Sequence, residues 1–448
     1  MARELFERSD DDDPINWAEM FGAAGQRFTR VAIEDVPELC SAIDEVVEEA
    51  ARDQNFCRRL NPFHNSDDAE WREGQLRFDY RKFFVSEIIA RAEATGVDSD
   101  DALLDIYLQL ERARFLDVLG GDLVVPLVLT DVGVHHLELN SDVYIEEISK
   151  DLHCARAPHV LYSGEVSGHL TAAATHAIVV RDLRVDNSDY SKRRLASLYG
   201  ISVVDPREIA KVDQVIQAIH IVSGAPTGYT QVLIRPHNWA DCWTADLPAV
   251  YKAHTYNHYP KSNGFEPEWR IPREPLNESA VAEIIPAFSA LSSAPKNVGV
   301  AARRAIRAMM RTDDEDRTLD SMIGIEALLL DNQAELSFRM ALRAAAALSS
   351  EFDPAMIFAL AKKVYDHRSE IAHGATPKKA TFTHAGTTWR SADIAPSLLR
   401  ALLRNYLLAS NPWTKEDLDN RVLAALSAYQ PEAADANGTD PGGSSGSD

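Results

Sequence analysis

The stretch from Asp353-Pro354 to Gly374 is the tightest constraint in this chain, because both ends of one helix are written into it. An acid that can cap free amides precedes a proline suited to the first helical turn. A glycine suited to a left-handed stop closes the run, with Pro377 beyond it. A helix is therefore expected from about Pro354 to His373. Ile357, Leu360, Ala361 and Val364 follow the i, i+3, i+4, i+7 spacing of a packed face, and Arg368 is expected at the next position of that stripe. A guanidinium aimed into packing stays charged and needs a carboxylate or a bound anion. At about 100° per residue, Arg368 and His373 stand about 140° apart around the axis, so one copy of the helix does not bring both onto one substrate. Two copies can.

Helical text surrounds this segment. Helices are expected at about Glu278 to Leu291, Pro295 to Arg311, Asp313 to Leu330, Ala334 to Leu348, Asp393 to Leu408 and Lys415 to Tyr429. Thr312-Asp313-Asp314-Glu315 has the form of a capping box, Thr414 opens the last helix in a similar way, and Asn411-Pro412 is a stop. The polar gap from Ala375 to Ala392 is long enough to reach over the motif. Upstream, helical periodicity covers Val36 to Asp53, Phe78 to Ala94 and Ala102 to Leu119. After Gly120-Gly121 the pattern turns strand-like at Leu123 to Leu129, Leu137 to Ile148, Ala177 to Val185 and Val232 to Arg235. Asn257 to Gly264 and the prolines at 267, 272 and 275 look like a loop and linker. The reading is an α+β multidomain chain. It has an acidic, mostly helical region (1–120), a mixed α/β or β-rich domain (121–275), a helical bundle (276–429) and a tail of Pro, Gly, Ser and Asp composition (430–448), read as disordered.

Charge sharpens the division. The chain carries a net −23, which argues against a nucleic-acid partner. From Leu276 to Asn411, however, 16 Lys and Arg face 15 Asp and Glu, a net of +1, leaving 30 against 54, or −24, elsewhere. The motif-bearing segment is electrostatically separate from the rest. Apolar runs such as Leu123 to Leu129 are far short of the roughly 20 residues of a membrane span. Asp10 to Asp13 stand where a signal peptide would be apolar, so a soluble, cytoplasmic protein without a membrane partner is expected. Cys40, Cys57, Cys154 and Cys242 lie far apart, the pattern of reduced buried thiols rather than of a disulfide frame or a zinc site.

Three blocks then read together: Ile323-Gly324-Ile325-Glu326-Ala327-Leu328, Glu335-Leu336-Ser337-Phe338-Arg339-Met340-Ala341-Leu342-Arg343-Ala344, and Tyr365-Asp366-His367-Arg368-Ser369-Glu370-Ile371-Ala372-His373-Gly374. In this order they resemble an Apea-like HEPN domain, over about residues 276 to 411, and the Arg-x4-His block followed by Gly is similar to the signature of that family's ribonucleases. The resemblance implies a metal-independent endoribonuclease, with no cofactor, in which two protomers form one composite cleft on RNA. It assigns catalysis to Arg368 and His373, with Ser369 orienting the phosphate or the imidazole. Many members carry Asn, Asp or His at that position, so this chain departs from the pattern there. It further implies a homodimer or higher even-numbered oligomer, a toxin or anti-phage role, and a trigger or inhibitor acting through the amino-terminal region. The alternative is a silent HEPN module for pairing, RNA binding or scaffolding.

Other residues are weaker candidates. Arg339 and Arg343 share one side of a helix and would bind RNA if that side opens on the cleft. Arg303, Arg304, Arg307 and Arg311 span two faces of another helix, a phosphate path or a solvated surface. Arg368 and His373 themselves have a structural reading, the Arg tied to Asp366 or Glu370 and the His favoured by the helix dipole. His254 and His258 have helical metal-ligand spacing, yet Tyr256-Asn257 and Pro260 read as loop and no carboxylate is near in sequence, so no metal site is expected. No phosphate loop, dinucleotide fingerprint or serine-hydrolase elbow occurs.

Overall fold

A computed structural model of the chain describes residues 36–60, 69–159, 173–188, 204–260, 274–331, 336–374, 380–384 and 386–427. The acidic leader, most of the expected linker and the tail lie outside the described residues. The amino-terminal helices are α1 (Pro37–Ala50), α2 (Gln54–Leu60), α3 (Ala69–Tyr80), α4 (Ser86–Thr95) and α5 (Asp100–Phe115), with a π turn at Arg81–Val85 joining α3 to α4. They enclose their own core of Ile43, Val47, Leu60, Leu76, Phe84, Ile106 and Leu110. The π turn delivers Phe84 to this core, stacked on Tyr80 at 5.2 Å. Arg59 anchors the helices to the rest of the chain, pairing with Asp117 and donating to the Asn187 carbonyl at 2.9 Å.

Strands β1 (Val118–Val128), β2 (His136–Glu138), β3 (Val143–Glu147), β4 (His176–Asp186), β5 (Gly228–Pro236) and β6 (Tyr251–His258) form one sheet in the order β2-β3-β4-β1-β5-β6, all neighbours antiparallel. The sheet corrects two expectations. Gly120-Gly121 is not a break: β1 starts at Val118 and runs through both glycines, with a register shift between Gly121 and Leu123. A Cβ at Gly121 would stand 2.8 Å from the Arg235 carbonyl oxygen, so the residue is small because β5 passes close. The His254 to His258 stretch is edge strand β6 rather than loop, and its histidines lack the helical spacing of metal ligands. Helix α6 (Lys150–Arg156) follows β3.

Helix α7 (Pro206–Ser223), between β4 and β5, joins the sheet to the carboxyl-terminal helices. Asp205 caps it, Pro206 opens it, and Gly224 closes it at φ +71°. Val212, Val215, Ile216, Ala218, Ile219 and Ile221 on it are buried, between one sheet face and the carboxyl-terminal helices. These are α8 (Glu278–Ser292), α9 (Lys296–Met310), α10 (Asp314–Leu329), α11 (Leu336–Ala347), α12 (Pro354–Ala372), α13 (Ser391–Leu407) and α14 (Lys415–Ser427), with a hairpin, β7 (Thr381–His384) and β8 (Thr387–Arg390), in the gap before α13. The architecture is mixed, mostly helical with an antiparallel sheet. One hydrophobic core runs from Leu123 and Ile178 in the sheet through α7 to Ile325, Val364 and Leu399, passing residue 275 without a break. No described helix is long and apolar enough to cross a membrane.

Candidate functional site

Helix α12 begins as its sequence dictates. The Asp353 carboxylate accepts from the amides of Ala355 at 3.1 Å and Met356 at 3.3 Å, and Pro354 takes the first turn. His373 is the carboxyl-terminal cap and Gly374 comes next at φ +68°. The buried face is Ile357, Leu360, Ala361, Val364 and His367. This corrects the expectation that Arg368 continues the stripe, because three residues beyond Val364, not four, is the position that faces the core.

Arg368, turned one residue away, meets Glu326 of α10. Its Nη2 donates to Glu326 Oε2 at 3.3 Å, while Nε lies 3.2 Å from Oε1 without hydrogen-bond geometry. The side chains are 29% and 23% exposed, so the pair sits at the margin of the packing. Burial pushes the Glu326 carboxyl above its ordinary pKa and the Arg368 charge pulls the other way. The guanidinium lies 5.9 Å over the Tyr365 ring, and Nη1 has no hydrogen-bond partner among the described residues. Asp366 and Glu370 of α12 were the expected carboxylates, whereas the one that reaches the guanidinium at 3.2 Å is Glu326 on a different helix. Spacing along α12 gives no sign of it, although it lies in the Ile323 to Leu328 block.

His373 is exposed, and Ser369, half-buried, stands one turn before it on the same face, about 40° around the axis. Within one chain the helix thus holds Arg368 against α10 and presents His373 to solvent, with Ser369 half-buried beside it. His367 differs from both. It is 2% exposed, neither ring nitrogen has a hydrogen-bond partner among the described residues, and burial depresses its pKa against the opposing charges of Glu370 and Glu315. The imidazole is therefore neutral at pH 7. A histidine with a depressed folded pKa binds its proton more readily in the unfolded chain, so its contribution to stability is lost as pH falls below about 6.5. Replacing it by leucine removes two unsatisfied nitrogens at similar volume, and His367→Leu should raise stability by roughly 1 kcal/mol at pH 7 and flatten the loss below pH 6.5. Urea midpoints at pH 7 and 5.5 check this. A midpoint that falls at both pH values would mean that the imidazole makes a contact the structure does not contain.

Arg343, expected to face RNA, does not. It is 3% exposed and donates from Nε and Nη2 to both oxygens of Asp419 at 2.8 and 2.7 Å, and from Nη1 to the Leu329 carbonyl at 2.6 Å and to Asp331 at 3.2 Å. Its donors are spent on tying α11 to α14 and to the end of α10. Arg339, half-buried one turn earlier, adds to the charge that lowers the Asp419 pKa, after Arg343 itself. Both arginines belong to that joint. Cys242 is exposed, against the expectation of four buried thiols; Cys154 is buried, and Cys40 and Cys57 are half-buried. No group of three or more His, Cys, Asp or Glu among the described residues is arranged to hold a metal. Comparison with protein-family models, with curated proteins and with solved structures finds no match to this chain.

Proposed function

We propose that the chain is a metal-independent endoribonuclease of the HEPN type, acting as a dimer whose two α12 helices meet at a two-fold axis. The observation that carries the reading is the state of α12 at its carboxyl-terminal end: an exposed His373, a serine on the same face, and an Arg368 with donors to spare at the packing margin. A two-fold axis beside α12 brings both pairs of side chains together, and an isologous contact is the commonest way for one surface to meet itself.

In that cleft one His373 takes the proton from a ribose 2′-hydroxyl, the 2′-oxygen bonds to phosphorus, and the bond from phosphorus to the 5′-oxygen breaks. The 5′-oxygen receives a proton from the second histidine or from water, and Arg368 balances charge on the phosphorane. The products are a 2′,3′-cyclic phosphate and a free 5′-hydroxyl. An imidazole can both accept and donate a proton near neutral pH. The amino-terminal helices and sheet then sense a trigger or restrain the cleft, in a toxin or anti-phage role. Cleavage should persist in excess EDTA and leave cyclic phosphate ends. Cleavage that stops with EDTA, or leaves 5′-phosphates, sinks the mechanism.

One observation favours a second reading. Glu326 already neutralises Arg368, as a purely structural arginine requires, and a silent HEPN dimer that binds or scaffolds would need no more. Over-expression separates the two: a nuclease is toxic and His373→Ala relieves it, whereas a scaffold is indifferent to that change.

A further inference from the structure

Helix α9 stands apart in an acidic chain. It carries Lys296, Arg303, Arg304 and Arg307 and no acidic residue, in a protein of net charge −23. The fold sorts these cations into two sets. Arg304 turns to α10 and pairs with the buried Asp320, which also accepts from Arg311 Nε at 2.8 Å. Lys296, Arg303 and Arg307 turn outward; they are exposed, and none has an ion pair or hydrogen bond from its side chain among the described residues.

The steps of seven and four residues place these three within about 20° of one line along the helix, over roughly 16 Å. The line has a direction. At its Lys296 end, Asn297 Nδ2 donates to the Ala327 carbonyl at 3.4 Å, one residue beyond the Glu326 that holds Arg368. At the other end the acidic start of α10 is already paired, Asp316 with Arg311 and Asp314 with Arg390, so the run of cations without an ion pair among the described residues of this helix ends at Arg307.

We propose that this outward stripe of α9 is a track for the sugar-phosphate backbone of single-stranded RNA, leading substrate toward the Arg368 end of the bundle. The proposal rests on the RNA-cleaving reading above and adds to it the surface that holds the substrate. Charge complementarity selects the occupant: cations without counter-ions among the described residues, in line on one rigid helix, match a regularly spaced polyanion. Arg339 and Arg343 cannot serve this purpose because carboxylates of the same chain hold or face them.

The test uses the full chain carrying His373→Ala, so that RNA stays uncut, and a fluorescein-labelled unstructured RNA of about 20 nucleotides read by anisotropy across a salt series. Removing two phosphate contacts by Arg303→Gln with Arg307→Gln should flatten the slope of log K against log salt by about 1.4, which is about 25-fold weaker binding at 0.1 M salt. Arg303→Lys with Arg307→Lys should keep most of the affinity. With His373 intact, the Gln pair should raise KM for long RNA and leave cleavage of a dinucleotide unchanged. Melting curves establish that each variant is folded. Equal affinity and slope in the Gln pair, or equal loss in the Lys pair, overturns the track, as does stripe-dependent binding to phosphatidylserine vesicles without stripe-dependent binding to RNA. If long RNA is still cut at an unchanged KM, the track falls and the nuclease reading stands. If the unsubstituted chain neither binds nor cuts RNA, both fall.

Discussion

His373→Ala is expected to lower RNA cleavage by about 10²- to 10⁴-fold, the usual worth of a positioned acid or base, without unfolding the protein. The fold should survive because His373 is an exposed cap residue at the end of α12, and the backbone stop it precedes belongs to Gly374, so alanine removes an imidazole and little else. Arg368→Ala should be as damaging to activity, about 10²- to 10³-fold, but less clean structurally. It leaves Glu326, already pushed toward its protonated form by burial, without its cation, and stability should fall by about 1–3 kcal/mol. Arg368→Lys should retain charge and stability but not the planar fork, and recover only part of the rate. Single-turnover rates beside urea melts separate these effects. Undiminished cleavage by folded His373→Ala would remove the histidine from the chemistry.

Arg343→Ala is expected to be the most destabilising single change in the bundle, by about 3–5 kcal/mol, because one buried guanidinium serves two carboxylates and a carbonyl. The lower end of that range is favoured by the partial exposure of Asp419 and Asp331, which water can rescue. The pH signature has a definite sign. Hydrogen bonding to Arg343 holds the Asp419 pKa below its ordinary value, and bonding to Lys415 and then Arg343 does the same for Asp331. Depressed carboxylates stabilise the fold above their unfolded pKa and lose that contribution as pH falls through the folded one. The unsubstituted chain should therefore lose stability below about pH 4, and Arg343→Ala should lose less there because the Asp419 part is already gone. An unfolding free energy from urea melts within about 1 kcal/mol of the parent at pH 7 would show that the joint between α11 and α14 does not hold the bundle.

Elements whose ends carry chemistry were legible in the chain. The Asp353 cap, Pro354 and Gly374 bound α12 where they were expected to, whereas α10 is capped one residue later than the expected Thr312 box, by Asp313, whose carboxylate accepts from the Asp316 amide. Helix α7 has the same punctuation in Asp205-Pro206 and Gly224, yet it escaped the periodicity reading. It is covered by the sheet on one side and by helices on the other, so its apolar residues form no single stripe. Strand β1 was shortened at Gly120-Gly121 because glycine reads as punctuation, whereas in this sheet it admits a close neighbouring strand.

Within the candidate site, spacing alone placed Arg368 one position too far round the helix, since at about 100° per residue the positions three and four beyond Val364 flank the same face and only packing decides between them. Which carboxylate each arginine meets was beyond reach of the sequence. Arg343 and Asp419 are 76 residues apart, and Arg368 and Glu326 are 42 apart, so their pairing is a property of the tertiary fold.

The shared cleft is the central claim, and mixing two inactive chains tests it most directly. Equal amounts of folded Arg368→Ala and His373→Ala protein, each shown to be dimeric by light scattering, are mixed and allowed to exchange, and cleavage of labelled RNA in EDTA is measured. Heterodimers would hold one intact arginine and one intact histidine in one cleft, so activity should rise above either chain alone, though to a small fraction of the parent rate because one acid-base group is missing. Paired, folded variants whose mixture stays at background, or a strictly monomeric parent that still cuts RNA, would contradict the account.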